Sequence, residues 1–332
     1  MRTHSRRAFV SRLAVLGVAL PLTSITRHVR LRAPRRIGFI TGNEPSLVAA
    51  FNDALRALGY VPGENLIVET RLIERGASNT AALTEAAAAL ARSDLDFIVA
   101  GALPYALEIR KANPVMPMVI VTCPGMVSNG FARTLEHPGG NATGIDELPP
   151  GVTAKRLTLL KAAAPAVSRI ALLSTTPGVG GHEVQLADAE QTASTLGVSV
   201  KVYRVTSPSE LQPALASMVA DGMNGLANFQ GGLSLASRQV IVDFAATHRL
   251  PAVYQATLFA EAGGLMTWAP DLEEQYRIAA EYVDKILKGA KPGDLAIRFP
   301  ARYYLTVNAS AARGLGLTLP KALLAQADRV LA

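Results

Sequence analysis

Short apolar runs alternate with longer amphipathic segments along most of the chain, beginning at Arg36. This pattern is typical of β-strands followed by helices on a parallel sheet. Two of the predicted helices end at Leu58-Gly59 and Leu196-Gly197, where glycine is common as a C-cap residue. The first series of predicted strands covers residues 36–41, 66–70, 97–100 and 118–122, with helices over 46–58, 80–92 and 105–111.

The same order of elements begins again after residue 150. The fourth strand of each series follows a similar dipeptide, Met116-Pro117 in the first series and Leu250-Pro251 in the second. The repetition predicts two similar doubly wound α/β lobes, each built on a parallel sheet. The second series has strands over 169–174, 198–205, 225–229 and 252–255, with helices over 183–196, 209–220 and 238–248.

Two such lobes predict a ligand cleft between them, because ligands bind outside the carboxyl ends of the strands in doubly wound sheets. Backbone N–H groups at the starts of the following helices suit the carboxylate of a small ligand. The residues just past the strands include Thr41, Ser174 and Gln255. The candidate ligand-binding residues are Asn43, Ser46, Gly101, Ala102, Thr122, Cys123 and Thr175, with Tyr105, Tyr254 and Trp268 as aromatic candidates.

The composition provides ample material for a packed core and gives no electrostatic sign of nucleic-acid binding. Apolar residues make up 49% of the 332 residues and charged residues 18%, which excludes an intrinsically disordered chain. The formal net charge is +7, but nine of the 33 basic residues are arginines within residues 1–36, which hold no acid. The other 24 basic residues stand against 26 acidic ones. We therefore expect no nucleic-acid partner.

The arginine-rich N-terminus has the pattern of an export signal. Residues 5–10, SRRAFV, match the twin-arginine pattern, and an apolar run over residues 13–25 follows. This run of about 13 residues suits a signal-peptide core and is shorter than the roughly 20 residues that span a bilayer. We predict a leader over residues 1–35 and a periplasmic location. No clean A-x-A cleavage site follows, so tethering by an uncleaved leader stays open.

Residues able to carry catalysis or bind a metal are scarce. No two of the five histidines have metal-ligand spacing, and a single cysteine excludes a disulfide or a cysteine-based metal site within one chain. Residues 178–181, GVGG, start like a dinucleotide-binding loop, but Glu183 stands where a third glycine is required. We predict no metal, no cofactor and no enzyme activity. A Cys123-dependent enzyme is an alternative, because Cys123 follows a predicted strand.

Several segments resemble a known protein family. Residues 263–271 (GGLMTWAPD), 282–289 (YVDKILKG) and 137–144 (HPGGNATG) are similar to segments of the ABC transporter solute-binding family that includes binders of aromatic amino acids. The resemblance covers the chain from about residue 36 to its end. It implies a periplasmic-binding-protein type I fold and an ABC transporter permease as partner. We expect the protein to be a monomer.

The resemblance also implies how the chain is divided between the lobes. The first lobe would take residues 36–148 plus about 268–291, and the second lobe residues 149–267 plus about 292–332. The chain departs from the family at Cys123-Pro124, where relatives often carry Asp-Pro. If that aspartate binds a ligand amine in relatives, this protein would prefer a ligand without one. Cys123→Asp is then predicted to change the ligand preference.

The predicted function is capture of a small molecule by hinge closure of the two lobes, followed by delivery to an ABC importer. The expected ligand is an amino acid, an aromatic acid or a similar small organic anion. One alternative is a membrane-retained sensor with the same ligand-binding body. A DNA-binding repressor is disfavoured, because residues 1–36 are too few and too apolar for a helix-turn-helix domain.

Overall fold

The computed structural model describes residues 34–74, 80–175, 180–229 and 231–332 of the protein. These residues form two α/β lobes, each built around one sheet, with five strands in the first sheet and seven in the second. This confirms the predicted fold class of two parallel-sheet lobes. The predicted leader, apart from its last two residues, lies outside the described residues.

The first sheet has the strand order β2-β1-β3-β4-β5, with every neighbouring pair parallel. Its central strands are buried because helices cover both faces, as is usual for parallel sheets. The elements are β1 (Arg35–Gly42), α1 (Pro45–Ala57), β2 (Leu66–Ile73), α2 (Thr80–Arg92), β3 (Phe97–Ala100), α3 (Leu103–Ala112), β4 (Met118–Cys123) and β5 (Ala142–Asp146).

The second sheet is built from later elements of the chain. The elements that follow β5, as far as the end of β10, are α4 (Val152–Ala163), β6 (Arg169–Ser174), α5 (Gly180–Leu196), β7 (Ser199–Arg204), α6 (Pro208–Ala220), β8 (Gly225–Asn228), α7 (Gly232–Ala236), α8 (Arg238–Thr247), β9 (Ala252–Tyr254), α9 (Thr257–Glu261) and β10 (Met266–Pro270). The remaining elements are α10 (Leu272–Leu287), β11 (Tyr303–Asn308), α11 (Ala309–Gly314), α12 (Lys321–Leu324) and β12 (Arg329–Leu331), with a short 3-10 helix at Pro292–Asp294.

Four of these strands are not predicted by the apolar pattern. Strand β5 carries a glycine and an aspartate within five residues, and it joins the first sheet beside β4. Strands β10, β11 and β12 extend the second sheet, whose order is β12-β11-β10-β9-β8-β6-β7. Strand β11 runs antiparallel to β10, because the chain returns from the first lobe at the carboxyl end of β10, where Pro270 pairs with Tyr303. Both lobes are therefore larger than the repeated unit in the sequence.

Helix α10 packs on the first lobe although it directly follows a strand of the second. The Asp271 carboxylate accepts a hydrogen bond from the Glu274 N–H at 3.2 Å and caps the start of the helix. Tyr276 and Tyr282 lie on its buried face, in one apolar cluster with Phe39 and other residues of the first lobe. The helix therefore completes the core of the first lobe.

Three chain segments cross between the lobes. The first is residues 147–151, the second passes through Asp271, and the third is residues 299–302. Before the third crossover the chain lies along β5, where the Arg298 N–H donates to the Gly144 carbonyl oxygen at 3.1 Å. The chain thus stays paired with the first sheet as far as Arg298, and the division into lobes at about Pro292 stays a prediction.

Candidate functional site

The carboxyl ends of the strands of the first sheet, here called the first edge, carry Thr41, Gly101 and Thr122. The Thr41 Oγ1 atom lies 2.6 Å from the hydroxyl of Tyr276. The Thr122 hydroxyl donates to the Gly101 carbonyl oxygen at 3.0 Å. A Cβ on Gly101 would lie 2.7 Å from the Tyr276 hydroxyl and would overlap Thr41, so only glycine fits there. Pattern reasoning missed Tyr276, which reaches this edge from α10.

Four further candidates lie around the first edge, at the starts of α1 and α3. Asn43 and Ser46 are exposed, and the Asn43 amide donates to the Glu74 carboxylate at 2.6 Å. Ala102 is the half-buried residue that precedes α3, and Tyr105 lies half-buried in the first turn of that helix. The structure therefore places these candidates at the helix N-termini that the sequence pattern indicated.

Cys123 is completely buried at the end of β4, in an apolar cluster that includes Met126. Burial raises the pKa of its thiol well above the ordinary value, and the nearby carboxylates of Asp146 and Glu147 raise it further. Because the thiolate is the nucleophilic form of cysteine, this environment suppresses its reactivity. The surroundings of Cys123 thus give no support to a cysteine-dependent enzyme.

The Asp146 carboxylate holds the loop that follows Cys123. It accepts hydrogen bonds from the N–H groups of Gly125 at 3.0 Å, Met126 at 2.8 Å and Leu148 at 2.9 Å. Burial raises the pKa of Asp146, while the three backbone donors act in the opposite direction. The loop is therefore fixed in one conformation by a residue that the sequence prediction did not single out.

The carboxyl ends of the second sheet, here called the second edge, carry Ser174, Thr175, Asn228 and Gln255. The Ser174 hydroxyl lies 2.9 Å from His182 Nδ1, and the Thr175 hydroxyl accepts from the Ser234 N–H at 3.3 Å. Both strand-end residues are buried. Thr175 is thus the candidate that the structure places on the second edge.

His182 lies in the first turn of α5 with its ring 5.5 Å from that of Phe229. Its Nε2 atom is buried and has no hydrogen-bond partner among the described residues. Burial lowers the pKa of the imidazole, and the charge of Arg204 lowers it further. The ring is therefore neutral at pH 7 and keeps one unused donor or acceptor.

A chain of buried amides and hydroxyls continues the second edge. The Asn228 amide donates to Gln255 Oε1 at 2.9 Å, and the Gln255 amide donates to the Ser234 hydroxyl at 3.2 Å. The Ser234 hydroxyl in turn donates to the Gly231 carbonyl oxygen at 2.9 Å. Among the residues that the structure describes, none hydrogen-bonds to Asn228 Oδ1.

The side chain of Tyr254 lies within the second lobe and not at the exposed end of its strand. The ring is buried in the apolar core of the second lobe and stacks on Phe259, with centroids 4.7 Å apart. Successive side chains of a strand point to opposite sides of the sheet, and the polar position at the end of this strand falls on Gln255. Gln255 is therefore the residue of this strand end that joins the second edge, and a ligand contact of Tyr254 stays a prediction.

Trp268 lies in β10 at the level of Gln255 at the end of β9, beside the crossovers between the lobes. Its ring stacks on Tyr303 with centroids 5.8 Å apart, and the Lys155 ammonium lies 5.7 Å from the ring centroid. Its carbonyl oxygen accepts from Arg156 Nε at 3.0 Å. The aromatic candidate from β10 thus packs beside the crossovers, and its contact with a ligand stays a prediction.

Three crossovers meet in a largely buried polar group, here called the crossover cluster, of Glu147, Arg156, Gln275 and Tyr303. The Gln275 amide donates to the Glu147 carboxylate at 3.1 Å, and the Tyr303 hydroxyl donates to the Glu147 carbonyl oxygen at 2.7 Å. Burial lowers the pKa of Arg156 to about 10, against the opposing charge of Glu147, so the guanidinium stays charged at pH 7. Two features of the sequence could have indicated this cluster. Arg156 lies among apolar positions of α4, and the acidic pair Asp146-Glu147 stands at the end of β5.

The two lobes touch at two glycines, here called the glycine contact. A Cβ on Gly181, at the start of α5, would overlap the carbonyl oxygen of Pro124. A Cβ on Gly125 would lie 2.8 Å from the Gly181 Cα atom. Since Gly125 follows β4 and Gly181 follows β6, the carboxyl ends of the two sheets face each other across this contact.

Two further observations concern the described part of the chain. It contains no group of three or more His, Cys, Asp and Glu side chains able to hold a metal ion. No helix within these residues has the length and apolar character needed to cross a membrane.

Two α/β lobes with facing carboxyl edges and three crossovers define the class of two-lobed, type I-like solute-binding proteins. Residues 43–331 match the family described as ABC transporter substrate binding protein, and the chain belongs to that family. The family resemblance seen in the sequence is thereby confirmed.

Individual relatives agree with this assignment. The chain is 24% identical to the tyrosine-binding protein of Clostridioides difficile strain R20291 over 257 residues, 76% of this chain and 72% of the relative. The fold is similar to an ABC domain from Streptococcus pneumonia in complex with L-Trp, with a TM-score of 0.79, 22% identity, and coverage of 90% and 100%. A conserved domain protein from Vibrio cholerae gives a TM-score of 0.80 with 24% identity and the same coverage.

Proposed function

We propose that the protein captures a small molecule between the first and second edges by hinge closure and delivers it to an ABC importer. The glycine contact carries this proposal, because it brings the loops after β4 and β6 together. A ligand between the edges would touch both lobes and favour their closed arrangement. The family assignment supports an ABC transporter permease as the partner.

For the ligand we infer an amino acid or a related small organic anion, aromatic examples included. The names of two similar proteins, a tyrosine-binding protein and a complex with L-Trp, support this class. The edges offer hydroxyl, amide and backbone N–H groups, which orient a small polar ligand. The contact residues that we propose are Asn43, Ser46, Gly101, Ala102, Tyr105, Thr122 and Thr175, joined by His182 and Gln255.

We further propose that the protein acts in the periplasm as a monomer, exported by its twin-arginine leader. The pattern of residues 5–10 and the apolar run after it support export. The family assignment supports a role outside the cytoplasm, where importers collect their solutes. Cell fractionation of the full chain, with and without Arg6→Lys and Arg7→Lys, tests this. Unchanged export of the double variant would contradict the twin-arginine route.

The ligand proposal is tested by thermal unfolding and calorimetric titration of the full chain. The probes are L-tyrosine, L-tryptophan and L-phenylalanine, each paired with the corresponding 3-arylpropanoate that lacks the amine. A ligand at 100 times its Kd adds about 2.7 kcal/mol of stability. Tighter binding of the amine-free partner would support the role suggested for Cys123, and no shift with any probe would overturn the proposed ligand class.

Closure is tested separately by small-angle X-ray scattering. Saturating ligand is expected to decrease the radius of gyration, because the lobes spend more time in contact. A ligand that binds in the titration and leaves the scattering unchanged would contradict hinge closure while leaving the binding role intact.

A further inference from the structure

Glu147, the first residue of the first crossover, is bound to both lobes through its backbone. Its N–H group donates to the carbonyl oxygen of Cys123, at the end of β4 in the first lobe, at 2.9 Å. Its carbonyl oxygen accepts from the hydroxyl of Tyr303, the first residue of β11 in the second sheet, at 2.7 Å. This one residue therefore joins a strand of the first sheet to a strand of the second.

The Glu147 side chain also interacts with groups of both lobes. The residue is 5% exposed, and its carboxylate accepts from the amide of Gln275 in α10, on the first lobe, at 3.1 Å. Its charge acts on the buried guanidinium of Arg156 in α4, on the second lobe, and opposes the fall in pKa that burial causes there. Separating buried opposite charges leaves each of them uncompensated and costs free energy. A movement of the lobes that leaves Glu147 in place avoids this cost.

Tyr303 is held in the orientation that its contact with Glu147 requires. Its ring stacks on Trp268, with centroids 5.8 Å apart. Burial raises the pKa of Tyr303 and the charge of Glu147 raises it further, so the hydroxyl stays protonated at pH 7 and can donate. The contact between the first and third crossovers is therefore present whenever the tyrosine ring is in this position.

All three crossovers reach Glu147. The first begins at this residue, the second leads into α10 with Gln275 in its first turn, and the third, residues 299–302, leads directly into Tyr303. In hinge motions a few residues between two rigid bodies absorb the change in backbone angles. Contacts at the point where the connecting segments converge change least during such a rotation.

We propose that Glu147 is the pivot of lobe closure, a positioning residue that sets the axis on which the second edge meets the first. This inference rests on the proposed capture of a solute by hinge closure. The contacts of Glu147 persist while the other crossover residues rotate, so the two edges return to one alignment. Loss of a pivot contact widens the range of lobe orientations, and ligand affinity falls because more conformational entropy is lost on closure.

The test compares two tyrosine variants of the full chain. Tyr303→Phe keeps the ring and removes the hydroxyl that binds the Glu147 carbonyl oxygen. Tyr282→Phe is the matched control, since the Tyr282 hydroxyl also donates to a backbone carbonyl oxygen, that of Ala296, at 2.6 Å and away from Glu147. Both variants should lose a similar amount of stability, so a difference between them in lobe movement reports on the pivot.

Lobe movement is measured by double electron–electron resonance between spin labels on two introduced cysteines. Ala49→Cys in α1 and Ser209→Cys in α6 provide one exposed position in each lobe. The natural Cys123 is buried, and burial raises the pKa of its thiol, so it does not compete for the label. The width of the distance distribution in the ligand-free protein then reports the range of lobe orientations.

The distribution is expected to be broader in Tyr303→Phe than in wild type and to keep the wild-type width in Tyr282→Phe. The ligand Kd should rise about fivefold in Tyr303→Phe alone, as expected for the loss of one hydrogen bond. A wild-type width in Tyr303→Phe, or equal broadening in both variants, would overturn the proposal.

Glu147→Gln tests the side-chain contacts separately. It keeps the shape and both backbone hydrogen bonds of the residue and removes the charge that acts on Arg156. We expect a broader distribution here too, and an unchanged width would contradict a part for the carboxylate in the pivot. A wild-type distribution that does not shift when ligand binds would contradict hinge closure itself. The ligand-free widths are measured without any solute, so the two failures are distinguishable.

Discussion

The two edges that face each other across the cleft differ in how completely their polar groups are paired. On the first edge Thr41, Thr122 and the Asp146 carboxylate all have hydrogen-bond partners within the first lobe. On the second edge His182 Nε2 and Asn228 Oδ1 are buried without a partner among the described residues. Buried polar groups are usually paired, and exceptions often occur at functional sites.

This difference indicates that the two lobes contribute differently to ligand binding. A fully paired edge is a rigid platform, because each donor and acceptor is already committed to one geometry. An edge with spare donors and acceptors gains free energy when a ligand supplies the missing partners. We therefore expect substitutions of the paired Thr41 and Asp146 to affect mainly stability, and substitutions of Asn228 and Gln255 on the second edge to affect mainly ligand binding.

The largest effect is expected for Cys123→Asp, on the first-edge side. The new carboxylate would be buried in an apolar cluster beside Asp146 and Glu147. We expect the free energy of unfolding to fall by about 3–5 kcal/mol, the usual cost of an uncompensated buried charge. Denaturant unfolding measures this, with Cys123→Ala as the control. A Cys123→Asp protein as stable as wild type would contradict the burial of this side chain and leave the predicted change of ligand preference to be measured directly.

A somewhat smaller loss is expected for Asp146→Asn, which tests the rigidity of the loop after β4. The amide oxygen can still accept from Gly125 and Leu148, but the amide nitrogen would face the Met126 N–H and leave it unpaired, so we expect a loss of about 2 kcal/mol in unfolding free energy. Asp188→Asn in the second lobe is a matched control, since Asp188 accepts one such bond, from Ala154. Equal losses of unfolding free energy in the two variants would contradict the special role of Asp146 in holding the loop after β4.

Gly181→Ala tests the contact between the edges. A methyl group there overlaps the Pro124 carbonyl oxygen, so the lobes cannot approach to the same distance. We expect the ligand Kd to rise at least tenfold, about 1.4 kcal/mol, with no loss of thermal stability. Gly232→Ala is the control, because a Cβ there meets no other atom within 4 Å. Unchanged affinity in Gly181→Ala would mean that closure does not use this contact.

The smallest effect is the pH dependence caused by His182. Its pKa is lowered in the folded protein, so its stabilising contribution is complete above the ordinary pKa of 6.5 and is lost as the pH falls through the lowered value. We expect the stability advantage of wild type over His182→Asn to shrink as the pH falls from 7.5 to 5. His248→Asn, at an exposed position, controls for the loss of an imidazole. A constant difference would indicate a solvated ring.

Local pattern was sufficient for most of the secondary structure and for the location of several candidate residues. The predicted helix over 105–111 is observed as Leu103–Ala112, and Gly101, Thr122 and Thr175 lie at the carboxyl ends of their sheets. Their location follows from the strand–helix order alone. Whether they contact the ligand stays a prediction.

The remaining residues of the site depend on contacts between distant parts of the chain. Tyr276 reaches Thr41 across 235 positions, and Gln275 reaches Glu147 across 128. Apolar periodicity carries no information on such pairs, because it reports only which face of an element is buried. The choice between Tyr254 and Gln255 depends on a local detail, since one residue along a strand reverses the direction of the side chain.

The crossovers have a consequence for how the protein is made. Synthesis proceeds from the N-terminus, yet the first lobe lacks α10 and the stretch up to Arg298 until nearly the whole chain has been produced. The apolar surface around Phe39 and Phe51 therefore stays uncovered until late, and the early half of the chain is not an autonomous domain. A fragment ending at residue 150 should aggregate, and the lobes of two relatives should not be exchangeable by a single cut in their genes.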